Sequence, residues 1–310
     1  MASPSTPNVF DPIRIAAHRS RAARRWPKYD FLKRRLSSDL IERLEDTPRH
    51  FDCALDLGCH GGTLAALFRA HGQVGSVMAS DPSPAMAQLA ARAGGLETVV
   101  SSLERVPGEV GSFDLVASVG SLHWVNDLPG VLVQVRRALK PDGLFLAALF
   151  GAGTLAELRT SLAEAETTLL GGVSPRISPL PSLQDAAALM QRTGFALPVV
   201  DLDRITVRYD TVFHLMADLR GMGEQAAFPS SRTRPLKRNV VAAMAEIYQE
   251  RFADPDGRIR ASFEVVWLSG WAPAPSQPKP LRPGSAKASL AAAVGATEQS
   301  AGEKAGQKKP

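Results

Sequence analysis

The stretch Ala54-Leu55-Asp56-Leu57-Gly58-Cys59-His60-Gly61-Gly62-Thr63-Leu64 decides the fold. An apolar run ends on an acidic residue, passes through a glycine-rich turn and enters a helix-forming segment. Glycines let a backbone approach a ligand where a Cβ would clash. In open α/β sheets, ligands sit beyond the carboxyl ends of the strands. Taken alone, such a turn serves a dinucleotide, another ligand, or only the path of the chain.

Outward from that turn, short apolar runs alternate with helical segments, the pattern of βαβ units and a parallel sheet. The runs are Cys53–Leu57, Ser76–Ser80, Thr98–Ser101, Asp114–Val119 and Leu144–Phe150. Helices are predicted near 62–70, 83–93 and 128–139, and Lys140-Pro141-Asp142-Gly143 reads as a turn into the fifth strand. Upstream, Leu32, Leu36, Leu40 and Leu44 recur every fourth residue, a helical stripe. Downstream, helices are expected over 153–170, 182–193, 211–220 and 235–252, with strands over 197–209 and 259–271. The two late strands suit the antiparallel edge of a doubly wound sheet. The domain reading is a basic helical extension over 1–50, an α/β domain over 51–272 with helical insertions near 153–195 and 211–252, and a largely disordered tail over 273–310.

Three neighbours sharpen the glycine turn. Ser80-Asp81 ends the second strand 25 residues after Asp56. A carboxylate there can accept hydrogen bonds from both hydroxyls of a ribose. Ser101-Ser102-Leu103-Glu104 follows the third strand, where an adenine edge would fall. Leu122-His123-Trp124 follows the fourth. This set resembles the class I S-adenosylmethionine-dependent methyltransferases, a Rossmann-like fold with a mostly parallel seven-stranded sheet. The resemblance implies S-adenosyl-L-methionine as cofactor, bound by Asp56, Gly58, Gly62, Asp81, Ser102 and Leu103. His60 departs from the pattern, standing where that family has its middle glycine.

Longer stretches are similar to a narrower group. They are Leu122–Pro129, Gly153-Thr154-Leu155-Ala156-Glu157-Leu158-Arg159, Gly171–Pro179 and Asp218-Leu219-Arg220-Gly221-Met222-Gly223-Glu224. In this order they resemble the mitochondrial complex I assembly factor 5 family and its bacterial counterparts, and more distantly the malonyl-carrier-protein O-methyltransferases. The narrower resemblance implies hydroxylation of an arginine in a complex I subunit on a methyltransferase fold. Three functions follow: methyl transfer to a protein, arginine hydroxylation, or a non-catalytic assembly chaperone that binds the cofactor.

His123 is a candidate general base, since imidazole titrates near neutrality. Trp124 is a candidate for stacking or for lining a substrate channel. Arg159 shares a helical face with Leu155 and Leu162, an unusual place for a solvated cation. Asp218 and Glu224 flank the Gly221 turn, and carboxylates bind a guanidinium bidentately.

Composition bounds the rest. The 310 residues are 45% hydrophobic and 22% charged, with net charge +5. Residues 1–50 carry +5 and residues 273–310 carry +4, leaving −4 for the body. A nucleic-acid partner would want a basic face on the folded core, so none is expected. Arg14, Arg19, Arg21, Arg24 and Arg25 read by default as a solvated helix face, and also suit an acidic partner, a membrane surface or a lid over the cofactor. Cys53 and Cys59 form neither a C-x-x-C pair nor a Cys/His cluster, so neither a disulfide framework nor a metal is expected. No run approaches the ~20 apolar residues of a membrane span, and a cytoplasmic location is expected.

Overall fold

The computed structural model describes residues 8–94, 96–229, 235–278, 285 and 290–296. The chain divides into two units, Met1–Ala274 and Pro275–Pro310. The disordered tail expected over 273–310 lies mostly outside the described residues. Within the second unit only a short helix is described, Leu290–Ala293.

Seven strands among the described residues form one sheet. They are β1 (Phe51–Leu57), β2 (Val74–Asp81), β3 (Glu97–Val100), β4 (Phe113–Val119), β5 (Leu139–Phe150), β6 (Ala196–Tyr209) and β7 (Ile259–Trp271), in the order β3-β2-β1-β4-β5-β7-β6. β1 pairs in parallel with both β2 and β4, which puts the glycine turn at the reversal of strand order. That reversal is where open α/β sheets bind ligands. β4 is buried along its whole length, as a strand covered on both faces must be. β7 runs antiparallel to both β5 and β6, so the antiparallel strand lies one place in from the edge. The Lys140–Gly143 turn survives as an irregular start of β5. There Asp142 takes φ +64° and the register against β4 shifts.

Helices α1 (Pro12–Ala23), α2 (Trp26–Tyr29) and α3 (Phe31–Glu45) precede the sheet. Asp11 caps α1 by accepting from the Ile13 and Arg14 amides. The Leu32–Leu44 stripe of α3 lies in the main core, with Leu36, Leu40 and Leu44 fully buried. Burying each such side chain contributes ~1.5–3 kcal/mol. α4 (Thr63–Ala70) and α5 (Pro84–Gly94) follow β1 and β2. α6 (Leu128–Ala138) and α8 (Leu183–Arg192) contribute to a second cluster with Phe145 and Leu149. α7 (Ala156–Leu170), α9 (Val212–Gly221) and α10 (Arg238–Phe252) join the α3 side of the core. These last three helices wall an apolar cavity with Phe263 of β7.

Candidate functional site

The glycine turn is built for close approach. Gly58 and Gly62 take φ +78° and +81°. A Cβ on Gly58 would lie 2.5 Å from the Ser121 side chain, and one on Gly62 would lie 2.9 Å from the Ala90 backbone. His60 takes φ +48° between them without being glycine, a conformation that costs an L residue roughly 1–2 kcal/mol. Three contacts hold it there. Its amide donates to Asp81 Oδ2 at 3.0 Å, its Nε2 lies 3.0 Å from Ser121 Oγ, and its ring stacks on Trp26 at 5.1 Å. Burial pushes the His60 imidazole well below its ordinary pKa, and the Arg19 and Lys33 cations push the same way.

Asp56 and Asp81 end adjacent parallel strands. The Asp56 carboxylate accepts the Ala65 amide of α4 at 3.1 Å. Burial, with the charge of Asp81 behind it, outweighs that hydrogen bond and pushes Asp56 up to about 7. Asp81 is fully buried and accepts from Arg19 Nη1 at 2.6 Å, the His60 amide at 3.0 Å and the Ser83 amide at 2.8 Å. Arg19 reaches it from α1 and also donates Nη2 to Ser121 Oγ at 3.0 Å. After β3, Leu103 lines a small space with Pro12, Ile15, Pro82, Ser102, Glu104 and Trp124. Asp56 and Gly58 line one small space with Trp26, Lys33 and His60, Ser102 and Leu103 line another, and Gly62 and Asp81 pack beside them, Gly62 against Ala90 and Asp81 on Arg19.

The donor set around the glycine turn suits S-adenosyl-L-methionine by its chemistry. A carboxylate ends β2, glycines line the turn, and two buried ring nitrogens, His60 Nδ1 and Trp26 Nε1, have no protein partner. The remaining room there is taken by side chains of α1 and α2. Arg19 occupies Asp81 and Trp26 lies against Gly61.

A second cluster sits at the carboxyl end of β4. Leu122–Trp124 forms a 3-10 turn that carries His123 and Trp124. Glu224, just beyond α9, accepts from His123 Nε2 at 3.1 Å, Trp124 Nε1 at 2.9 Å and Lys33 Nζ at 2.6 Å. All three ionisable groups are buried. Burial alone would raise the Glu224 carboxyl, but Lys33 and His123 overcome it and hold Glu224 well below the usual range. Burial lowers Lys33 and His123, with Glu224 opposing in both cases. We read the cluster as a lysine cation, a carboxylate and a neutral imidazole. With Nε2–H donated to Glu224, His123 Nδ1 is an acceptor, and it has no partner.

His123, Trp124 and Glu224 also line a cavity of about 200 Å3. Its walls are apolar: Leu158 and Leu162 of α7, Met216 and Leu219 of α9, Met244 of α10, and Phe263 of β7. Arg176 and Arg220 are its cationic members. Arg176 is bound to the buried Glu166 at 2.6 Å. The structure brings His123 and Trp124 together here and leaves Arg159 outside. Arg159 is exposed and donates to the Ala152 and Thr154 carbonyls at 3.1 and 3.4 Å. Lys33 and Trp26 were not singled out in the sequence, because nothing in their spacing marks them, and Arg176 stood only within the Gly171–Pro179 stretch. Among the described residues no three His, Cys, Asp or Glu are arranged to hold a metal.

The sheet order and the crevice at the β1/β4 reversal define a protein of the class I methyltransferase fold. A family profile described as a methyltransferase domain matches residues 55–147. The fold is shared with a methyltransferase-like protein of Bacillus halodurans (TM-score 0.55, 17% identity, 76% of this chain and all of that one). The human mitochondrial arginine-hydroxylase NDUFAF5 is 39% identical over 93% of this chain and 84% of its own. The malonyl-[acyl-carrier protein] O-methyltransferase of Xylella fastidiosa is 32% identical over 86% of this chain and 89% of its own. The chain belongs to the NDUFAF5 arginine-hydroxylase family. No described helix is long and apolar enough to cross a membrane.

Proposed function

We propose that this chain modifies an arginine side chain of a protein partner, a complex I subunit, by the hydroxylation for which its relatives are named. The observation that carries this reading is the apolar cavity that ends on Glu224 and His123. The three methylenes of an arginine match apolar walls, and its guanidinium needs a carboxylate. A carboxylate has about four acceptor positions, and the protein uses three on Glu224. The remaining one is available to a guanidinium N–H. Inserting one oxygen atom into a C–H bond uses dioxygen and two electrons supplied from outside this chain, and His123 Nδ1, which has no partner, is left as an acceptor for a substrate N–H.

S-adenosyl-L-methionine would be held at Asp81, Asp56, Gly58, Gly62, Ser102 and Leu103, and when bound it supplies an electrophilic methyl group. Ribose hydroxyls at Asp81 would compete with Arg19 for the same carboxylate. Methyl transfer to the partner is the second reading. The methyltransferase profile across 55–147 favours it, and in it His123 takes the proton lost by the methylated nitrogen. Because the human relative is mitochondrial by name, the location follows the partner's compartment rather than the cytoplasm expected from sequence.

Mass spectrometry of the partner's arginine peptides, after co-expression with this chain, tests the reading. A gain of one oxygen that disappears in His123→Gln supports hydroxylation. A gain of one methylene replaces it with methyl transfer. Tight binding with no mass change in either case would leave only an assembly role.

A further inference from the structure

We propose that a basic vestibule, made by α1, α2 and the end of α9, docks an acidic segment of the protein partner. The crevice and cavity make no use of the Arg-rich start of the chain beyond Arg19, so its exposed cations call for another explanation.

Residues 12–29 hold six basic side chains and no acidic one. Two of the six have carboxylate partners: Arg14 reaches Asp11 and Arg19 is buried on Asp81. Arg21 and Arg25 are exposed and face a cleft of about 570 Å3, with Arg220 of α9 on the other side. Among the described residues none of these three arginines makes a salt bridge, while Arg34, Arg35, Arg43 and Arg49 nearby in the chain all do. The field of the uncompensated charges is felt locally. Burial lowers His18, and Arg21 and Arg14 lower it further.

Tyr29 sits under this face, with the Arg25 guanidinium 5.7 Å from its ring centre, and lies against Gly221, where any Cβ would strike the ring. That contact fixes α2 against α9 and so fixes the spacing of the three arginines. Arg220 and Gln225 line both the vestibule and the apolar cavity. A chain whose side chain enters the cavity therefore leaves past Arg21, Arg25 and Arg220. Guanidinium groups held at fixed spacing favour carboxylates, which they bind in a planar, two-pronged way. An acidic flank also offsets the repulsion that these arginines exert on an incoming cationic side chain. The proposal rests on the cavity being the substrate site, and the test separates the two.

The probe is a fluorescein-labelled peptide with one central arginine between two pairs of glutamates. Companion peptides carry lysines in place of the glutamates, or norleucine in place of the arginine. Fluorescence anisotropy is read for the full chain and for the triple variant Arg21→Glu, Arg25→Glu, Lys28→Glu, whose exposed sites lie outside the cavity. The expected result is binding of the acidic peptide over the basic one, weakened at least ~tenfold by the triple reversal and by raising salt. If the norleucine peptide binds as well as the arginine one, the vestibule stands and the arginine reading of the cavity fails. Equal affinity for acidic and basic flanks, or no loss in the triple variant, would overturn the proposal. So would charge-dependent binding to phosphatidylglycerol vesicles with none to the acidic peptide, which would make the face a membrane contact.

Discussion

The crevice at the glycine turn and the cavity beyond Glu224 are built on opposite principles. The crevice is polar and filled: Asp81, Arg19, His60 and Ser121 satisfy one another across it. The cavity is apolar and open, with about 200 Å3 of space and its charges gathered at one end. The crevice depends on backbone geometry, since Gly58 and Gly62 must keep left-handed φ. The cavity depends on how helices pack. The difference teaches that one domain can fix a polar frame through its backbone while an open apolar space is set by helix packing, with the buried Lys33, Glu224 and His123 between them.

Breaking that buried cluster should cost most. Glu224→Ala leaves Lys33 buried without its counter-ion, and losing one partner of such a pair costs ~3–5 kcal/mol. Chemical denaturation should show that loss, whereas Glu224→Gln should lose less. Next, His123→Gln should cut the rate of partner modification ~100-fold or more while shifting the denaturation midpoint little. A loss of stability as large as that of Glu224→Ala would make His123 a structural residue.

The crevice can be sharpened through its carboxyl groups. The folded pKa of Asp56, about 7, exceeds its ordinary 3.8. The folded chain therefore holds the extra proton between those values, and stability falls as pH rises across that window. Asp56→Asn should remove the penalty, with a net gain on the order of 2 kcal/mol at about pH 8 and little at about pH 4. The imidazoles act in the opposite direction. His60 and His123 are held below their ordinary 6.5. The unfolded chain then binds protons more readily below 6.5. Their contribution is full above that value and is lost as pH falls toward the folded values, at ~1 kcal/mol per pH unit per group. Urea melts across this range in His60→Gln and His123→Gln should flatten the slope. At the bottom of the scale, Arg21→Glu should leave stability within ~0.5 kcal/mol, because its side chain is exposed and unpaired.

How legible these regions were follows from how local they are. The crevice lies largely within Ala54–Leu64 and Ser80–Asp81, so the glycine turn and the spacing to Asp81 carried the fold, the sheet and the resemblance. The late antiparallel pair could be read as two long strands, though not that β7 sits inside β6. His123, Trp124 and Glu224 stood out as motif residues, yet their junction did not. Lys33 meets Glu224 across 191 residues of chain. In sequence it is simply the neighbour of Leu32, and period-four spacing cannot tell a buried lysine from a solvated one. Arg19 read as one of five surface arginines, because its partner Asp81 lies 62 residues away. The cavity was not legible, since its walls come from α7, α9, α10 and β7, which lie far apart in the chain.

Cofactor-induced stabilisation tests the central claim, that the crevice is a working cofactor site facing the cavity. Thermal denaturation would be followed with S-adenosyl-L-methionine in excess, for the wild-type chain and for Asp81→Asn. A ligand at about 100 times its dissociation constant stabilises the folded state by ~2.7 kcal/mol. The account predicts a stabilisation of that order in the wild type and its loss in Asp81→Asn. No stabilisation of the wild type, or the same stabilisation in both proteins, would contradict it.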